Sequence, residues 1–416
     1  MKKVILKGAL LASIFGVLLS CSDDDSTPAP APTPDPDLIT NEEPEVVTAS
    51  EVVANYANIV AQNYTDSYNK AVLLQTKVNQ FVANPSEAGF AEAKVAWLEA
   101  REPYGQTEVY RETNSPIDTD SESWSLNTEG QINAWPCDEG YIDYIDPLST
   151  AHAGGTTGGI IAGTETIEAD LLIGKNEFGG DKNISTGWHA IEFLLWGQDE
   201  TSPSENLAGQ RSYTDYSTAA NFERRGIYLT TVTDLVVADL LALKNTWSEG
   251  GAYRTVFNSL DTNTALTQLI NGAKFIAGEE LSTERMLAPV NSTEGYEATG
   301  QEMEHSCFSD NTHVDVYENT QGVLNVIYGR YEGAQGASFY DLVMQADSAQ
   351  AANLKAAADL AAQKIDVIKN NSKRFDYLLT LENVDNQGPI MEGIQALYAL
   401  GEEISASATV IGVNLD

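Results

Sequence analysis

The helical spacing of apolar residues is the feature that most constrains the fold of this chain. Between residues 52 and 82, apolar side chains recur at intervals of three and four, which places them on one face of an α-helix. β-branched runs with strict alternation, the signature of strands, are nearly absent from the whole sequence. The sequence therefore predicts an all-α protein. Further predicted helices cover residues 87–110, 188–196, 217–247, 264–287, 320–331, 339–381 and 389–411, and the 339–381 segment is expected to be broken.

The predicted helices fall into two groups on either side of Gly250-Gly251. Long helices that are joined by loops are typical of helical bundles. With 42% hydrophobic residues, the chain has enough apolar side chains to fill their cores. We therefore predict two packed helical bundles, residues 48–248 and 252–416.

The N-terminus has the pattern of an export signal. Three lysines within the first seven residues precede an apolar stretch, residues 10–19, that is too short to span a bilayer. This stretch leads to Leu-Leu-Ser-Cys at residues 18–21, which resembles a bacterial lipobox. We interpret residues 1–21 as a lipoprotein signal peptide, with Cys21 as the lipidated first residue of the mature protein. A cleaved secretory signal is the alternative.

Residues 22–47 read as a tether that cannot form a core. They begin with Ser-Asp-Asp-Asp and continue into a proline-rich segment, and such segments are extended. The acidic run resembles the surface-export signals of Bacteroidetes lipoproteins. We therefore expect a lipid-anchored protein of the cell envelope, exposed at the surface of the outer membrane.

Charge and cysteine content limit the partners of the chain. The formal net charge of −38 excludes a nucleic-acid partner, because the phosphate backbone would repel the protein. Beyond Cys21 the chain has only Cys137 and Cys307. In an oxidising compartment these two residues form either one disulfide or two separate thiols.

The segment Gly187-Trp-His-Ala-Ile-Glu192 contains the sharpest chemical signal. On a helix, His189 and Glu192 are three residues apart and lie on one face. An imidazole with a carboxylate is half of a site for iron or zinc. The alternative is an internal hydrogen bond between the two side chains, which is the more common role of such a pair.

A second segment, residues 301–313, is also rich in ligand-type side chains, and three of the four histidines of the chain occur in these two segments. Two more segments, 97–110 and 133–141, contain polar residues beside aromatic ones. Their alternative interpretation is structural: aromatic residues in a core and an Arg101–Glu108 ion pair.

Four motifs together resemble the signature of the imelysin family, the insulin-cleaving membrane protease group, and most of all its iron-regulated protein A branch. They cover essentially the whole mature domain in the expected order. They are Gly-x-His-x-x-Glu at 187–192, Pro-Tyr-Gly-Gln-Thr-Glu at 103–108, Asn-Ala-Trp-Pro at 133–136 and Glu-His-Ser-Cys-Phe-Ser-Asp-Asn-Thr-His at 304–313.

The resemblance implies two helical bundles whose motif-bearing segments meet at a cleft, with His189 and Glu192 as the site pair. Cys137 stands where an apolar residue is expected, and since its motif and that of Cys307 should face one cleft, this departure implies a Cys137–Cys307 disulfide. The expected metal ligands are His189, Glu192, His305 and His313. The expected cleft residues are Arg101, Tyr104, Glu108, Trp135, Asp138, Ser306, Ser309, Asp310 and Asn311.

The family is classed with metallopeptidases, yet its members are associated with iron uptake. Our leading interpretation is a lipoprotein of iron acquisition that binds iron, an iron chelate or haem in the cleft, with an outer-membrane transporter as partner. The first alternative is a zinc-dependent peptidase that uses His189 and Glu192, although a peptidase helix usually carries a second histidine four residues away. The second alternative is a non-catalytic interaction protein in which the motifs only hold the bundles together.

Overall fold

The computed structural model describes residues 46–119, 121, 124–145, 159–295, 299–385 and 388–415. The predicted signal peptide, Cys21 and almost all of the predicted tether lie outside these residues, and so does His152.

A helix of 35 residues, α1 (Ala49–Ala83), begins at a capping box. Thr48 Oγ1 accepts a hydrogen bond from the Glu51 backbone N–H, and the Glu51 carboxylate accepts one from the Thr48 backbone N–H. The helices that follow are α2 (Glu87–Gly105), α3 (Glu129–Ile132), α4 (Glu139–Ile142), α5 (Gly159–Ala162), α6 (Ala169–Lys175), α7 (Gly187–Trp196), α8 (Phe222–Trp247), α9 (Ala252–Ser259), α10 (Thr262–Phe275), α11 (Ala288–Asn291), α12 (Thr312–Tyr328), α13 (Phe339–Ala346), α14 (Ser348–Lys369), α15 (Phe375–Asp385) and α16 (Pro389–Val410).

The prediction of an all-α protein is confirmed. Within the described ranges the only sheet is a pair of two-residue antiparallel strands, β1 (Arg330–Tyr331) and β2 (Ala334–Gln335). Short 3-10 turns lie at Glu108–Tyr110, Pro203–Glu205, Tyr213–Tyr216 and Gln301–Met303.

The helices pack in two groups. In the first group α1 packs against α2 and α8, and α7 lies against both α2 and α8. In the second group α16 packs against α14 and α10, and α12 packs against α14. Contacts of α2 with α12 and of α1 with α10 join the groups, and Val46–Asp416 forms one compact unit. The bundle boundaries at 248 and 252 stay predictions.

A π-helical segment, Ile276–Leu287, continues α10 without a break and leads directly into α11. π-helical turns are rare and are frequently found at functional sites. This segment carries Glu280 and Arg285, two of the charged residues of the site described below.

One stretch of the described residues, Phe222–Ser259, is long and apolar enough by composition to cross a membrane, with a mean hydropathy of 1.6. However, 56% of that apolar window is buried inside the protein, as in a core helix.

Candidate functional site

Helix α7 begins at a position that only glycine fills without strain. Gly187 has φ +83°, and a Cβ there would lie 2.4 Å from the Ile132 carbonyl oxygen. This close approach puts the first turn of α7 beside the end of α3. The helix is also held by its backbone, because Trp97 Nε1 donates a hydrogen bond to the Trp188 carbonyl. All ten residues of α7 are buried, so its polar side chains need partners inside the protein.

His189 and Glu192 bond to each other and to the 301–313 segment. His189 Nδ1 lies 2.9 Å from Glu192 Oε2. The other oxygen, Glu192 Oε1, accepts hydrogen bonds from Ser309 Oγ at 2.7 Å and from the Ser309 backbone N–H at 2.9 Å. Both carboxylate oxygens are therefore engaged, and Glu192 orients the imidazole of His189.

His305 has the same arrangement with a carboxylate on α12. Its Nδ1 lies 2.9 Å from Asp315 Oδ2. Ser306 Oγ donates to this oxygen at 2.5 Å, and Arg101 Nη2 forms an ion pair with it at 3.2 Å. Asn311 Nδ2 donates more weakly to Asp315 Oδ1, at 3.4 Å. Asp315 thus joins the α2 and 301–313 motifs, although no sequence motif singled it out.

The two imidazoles lie side by side. The ring centroids of His189 and His305 are 4.7 Å apart in an edge-to-face arrangement, and the Trp135 ring packs 4.7 Å from His189. His189 is only 1% exposed, and its Nε2 has no hydrogen-bond partner among the described residues. A buried nitrogen without a partner is rare in folded proteins and points to a bound water, ion or ligand.

A layer of paired charges supports His305. Asn133 Nδ2 lies 3.5 Å from His305 Nε2 and 3.3 Å from Glu108 Oε1. Glu108 accepts a hydrogen bond from Arg285 at 2.6 Å, and Arg285 also bonds to Asn319 on α12. This layer connects the turn at Glu108–Tyr110, the π-helical segment and α12, so it fixes both helix groups around the histidines.

The pKa values of the histidines and of their carboxyl partners are set by burial and by the neighbouring charges. Burial lowers the pKa of His189 well below its usual value, and burial together with Arg285 lowers the pKa of His305 to about 4. Both imidazoles are therefore neutral at neutral pH, the form that binds metals. Burial raises the pKa of Glu192 to about 8. Burial would also raise the pKa of Asp315, but Arg101 and His305 outweigh it and hold the pKa well below its usual value.

A cleft of about 230 Å³ opens beside His305, and His189, which packs against His305, is not itself among its lining residues. Trp135 and His305 form part of its wall. Its other charged lining residues are four glutamates and two arginines: Glu129, Glu177, Glu280, Glu284, Arg111 and Arg285. Both arginines pair with Glu280, at 2.9 Å for Arg111 and 3.2 Å for Arg285. The cleft therefore presents an excess of negative charge.

The expected four-residue metal set is not assembled. Among the described residues, no group of three or more His, Cys, Asp or Glu side chains is arranged to hold a metal ion. Both carboxylate oxygens of Glu192 already form hydrogen bonds, one with His189 and one with Ser309. His313 points elsewhere, because its Nε2 accepts a hydrogen bond from Arg374 at 2.5 Å. Only His189 and His305 remain as adjacent donors.

The other expected cleft residues have different positions. Tyr104 is fully buried and packs against Trp188 with ring centroids 5.4 Å apart. Asp138 lies just before α4, and its backbone N–H donates to the Lys182 carbonyl. Asp310 belongs to a separate buried cluster of carboxyl groups with Asp199.

The expected Cys137–Cys307 disulfide is absent. Both residues are free, buried thiols, and burial raises the pKa of each well above its usual value. The implied bridge was wrong: Cys137 and Cys307 carry no bond to each other, because a disulfide needs a specific geometry that facing a common region does not ensure.

Comparison with known proteins agrees with this architecture. The imelysin family model matches residues 60–404, most of the chain. The chain belongs to the imelysin family. Among solved structures, it is similar to a protein from Parabacteroides distasonis that is provisionally described as an iron-regulated protein A precursor. The TM-score is 0.64 at 17% identity, over 89% of this chain and 97% of that one. No curated protein matches the chain significantly.

The imelysin motifs thus meet at one place, through expected residues such as Glu192 and Ser309 and also through residues outside the expected set. Asn133, Asp315, Asn319 and Arg285 connect the motif-bearing segments. Asn133 belongs to the Asn-Ala-Trp-Pro motif and could have been selected on that ground. The others lie outside the motifs: Asp315 follows the 304–313 motif and also pairs with the distant Arg101, and Arg285 and Asn319 bond to each other from different helices.

Proposed function

We propose that this imelysin-family protein binds an iron species at His189 and His305 through the cleft. The observation that carries the proposal is the buried, unbonded Nε2 of His189 beside a second imidazole. Each imidazole has its Nδ1 on a carboxylate, the arrangement that usually orients a metal-binding histidine.

Because the described residues offer only two imidazole ligands here, we expect the protein to bind iron that already carries water or a chelate as further ligands. Two neutral imidazoles suit iron, and the remaining coordination positions would be taken by water or by a chelate. The cleft of about 230 Å³ is smaller than the roughly 300–1,000 Å³ of sites for drug-sized ligands. This favours a hydrated ion or a small chelate over haem. The zinc peptidase alternative needs a third protein ligand, which the described residues do not provide.

The proposal is tested by metal titration of wild type and three single-histidine variants. Purified protein is titrated with ferrous sulfate, ferric citrate, haemin and zinc sulfate, and bound metal is measured after dialysis. We expect His189→Ala and His305→Gln each to weaken iron binding at least about tenfold, because each removes a nitrogen donor. His313→Gln is the matched control, since His313 bonds to Arg374 instead, and should bind as wild type does.

Two results would contradict the proposal. The first is equal iron binding by the wild type and by His189→Ala. The second is no iron binding by the wild type at all, which would leave the motifs as a structural clasp. Chelator-sensitive cleavage of denatured casein by the wild type would instead favour the peptidase alternative.

We also propose that the protein acts at the cell surface, anchored by a lipid on Cys21, and that it passes iron to an outer-membrane transporter. The lipobox-like sequence at residues 18–21 and the acidic run that follows support this placement.

A further inference from the structure

A second cavity opens between the C-terminal end of α2 and the middle of α12. Its volume is about 670 Å³, within the roughly 300–1,000 Å³ typical of small-molecule sites. It shares no lining residue with the cleft of the histidines. We call this cavity the α2–α12 groove.

The floor of the α2–α12 groove is a fixed chain of hydrogen bonds. Gln106 Nε2 donates to Glu318 Oε2 at 2.7 Å, and Asn325 Nδ2 donates to Gln106 Oε1 at 2.8 Å. The two backbones touch beneath this chain, because a Cβ on Gly322 would lie 2.6 Å from the Gln106 carbonyl oxygen. Gln106 and Glu318 therefore keep their positions when the groove is empty.

Glu318 is the unusual member of this floor. It is only 7% exposed, yet it lines the groove. Its Oε1 accepts no hydrogen bond from the described residues, and no lysine or arginine among them forms an ion pair with it. Burial raises its pKa to about 7. Lys369 lowers this pKa from a distance but forms no ion pair with the carboxylate, so a cation that bonds to Glu318 directly would be bound favourably.

The rim adds charge of the same sign. Asp66, Glu102 and Glu332 line the groove, and the last two are exposed. Lys70 is the one basic residue among the lining residues, all of which the structure describes, and it pairs with Glu99 at 3.0 Å. Lys369 stands outside the lining, over the Tyr317 ring.

Aromatic surface accompanies these carboxylates. The rings of Tyr317 and Tyr331 also line the groove. Carboxylates next to tyrosine rings are the combination that recognises ammonium and guanidinium groups, through ion pairing and cation–π contact.

We propose that the α2–α12 groove binds an organic cation with primary amine or guanidinium groups, whose charged head bonds to Glu318 at the floor. A metal ion is disfavoured because no group of three acidic, His or Cys side chains in the described residues is arranged to hold one. The cation comes either from a free polyamine or from a lysine or arginine side chain of a peptide. Both sources share the chemistry that the groove recognises.

The test is calorimetric titration of the purified protein with spermidine and, separately, with a tri-arginine peptide. Fully acetylated spermidine, which has no charge, is the ligand control. We expect Glu318→Gln to weaken binding about tenfold, because it keeps the shape and removes the charge that bonds the ligand. Glu92→Gln is the matched variant: it removes the same charge from an exposed position of α2, outside the groove, and should change binding less than about twofold.

The control variant matters because a net charge of −38 attracts any polycation. Equal weakening by Glu92→Gln and Glu318→Gln would show such general attraction and overturn the proposal, as would the absence of binding by both probes. Binding of spermidine but not of the peptide would identify a free amine as the ligand, and the reverse would identify a peptide.

A second variant protects the test against misfolding of Glu318→Gln. The double substitution Glu102→Gln with Glu332→Gln changes only exposed rim residues. This double variant should keep the wild-type melting temperature and bind the cationic probes several-fold more weakly. Unchanged binding of the probes would show that the rim carboxylates do not contribute, against the proposal. Iron binding should be unaffected by all of these variants, so this test and the iron test fail independently.

Discussion

Buried carboxyl groups near residue 310 contrast with those near the histidines. Asp315 and Glu108 have arginine partners, and these lower the pKa of Glu108 to about 2 against the effect of burial. Around Asp310, burial dominates instead. It raises the pKa of Asp310 to about 8 and the pKa of Asp199 and of Asp376 to about 6. Arginines thus balance the negative charge of the carboxylates near the histidines, whereas the carboxyl groups around Asp310 keep their protons to higher pH.

Replacing Asp310 with Asn should therefore stabilise the protein increasingly as pH rises. Because its folded-state pKa is raised, Asp310 holds its proton more tightly when folded, and wild-type stability falls between about pH 4 and pH 8. Asn has no such proton, and it also tolerates the left-handed backbone at this position, φ +55°. We expect a gain on the order of 1 kcal/mol at pH 8.5 and much less at pH 5.

Urea unfolding at the two pH values measures this difference. Asp170→Asn, a change at an exposed carboxylate on α6, is the control and should have little effect at either pH. A gain from Asp310→Asn that is equal at pH 5 and pH 8.5 would contradict the explanation by proton uptake.

Among the elements, α7 depends on its first residue. Gly187→Ala should destabilise the protein by about 2–4 kcal/mol, because the new Cβ meets the Ile132 carbonyl at a positive φ. It should also weaken iron binding, since α7 carries His189. Gly174→Ala is the matched control: a Cβ inside α6 has nothing within 4 Å, and alanine should stabilise that helix by up to about 1 kcal/mol. The melting temperatures of the two variants test this prediction, and equal melting temperatures would contradict the special role of Gly187.

Helix α12 serves both proposed sites. Asp315 and Asn319 face the histidine site, while Glu318 lies in the α2–α12 groove. The helix begins at Thr312, eight residues before the predicted start at 320. The prediction missed these two turns because most of their buried side chains are polar and so break the apolar spacing. The apolar spacing therefore does not predict the turns of a helix whose buried side chains are polar site residues.

Other helix bounds follow the prediction more closely. Helix α1 covers Ala49–Ala83, against a predicted 52–82. The segment 339–381, which the sequence predicts to be broken, forms three helices, α13 to α15, and α14 begins at a cap in which Asp347 accepts hydrogen bonds from two backbone N–H groups. Such a cap is a local signal that the apolar pattern alone does not include.

At the scale of the whole molecule, the proposed anchor should decide where the protein is found. Replacing Cys21 with Ser removes the thiol that would be acylated, so labelled palmitate should no longer be incorporated and the protein should leave the membrane fraction. Cys137→Ser is the control, because Cys137 is buried in the folded protein, and it should keep both lipid label and membrane location. Incorporation of palmitate by Cys21→Ser would contradict the anchor.

The sequence by itself determined the helical class, because an apolar spacing of three and four residues is a local property that can be read within each segment. It also determined the family, because the four motifs are contiguous. Only the tertiary structure decided which ligand-type residues meet: His189 packs on His305, His313 bonds to Arg374, and Cys137 and Cys307 stay free thiols. The physical reason is that helix packing sets these distances, and a hydrogen bond or a disulfide depends on differences of about an ångström that no spacing along the chain records.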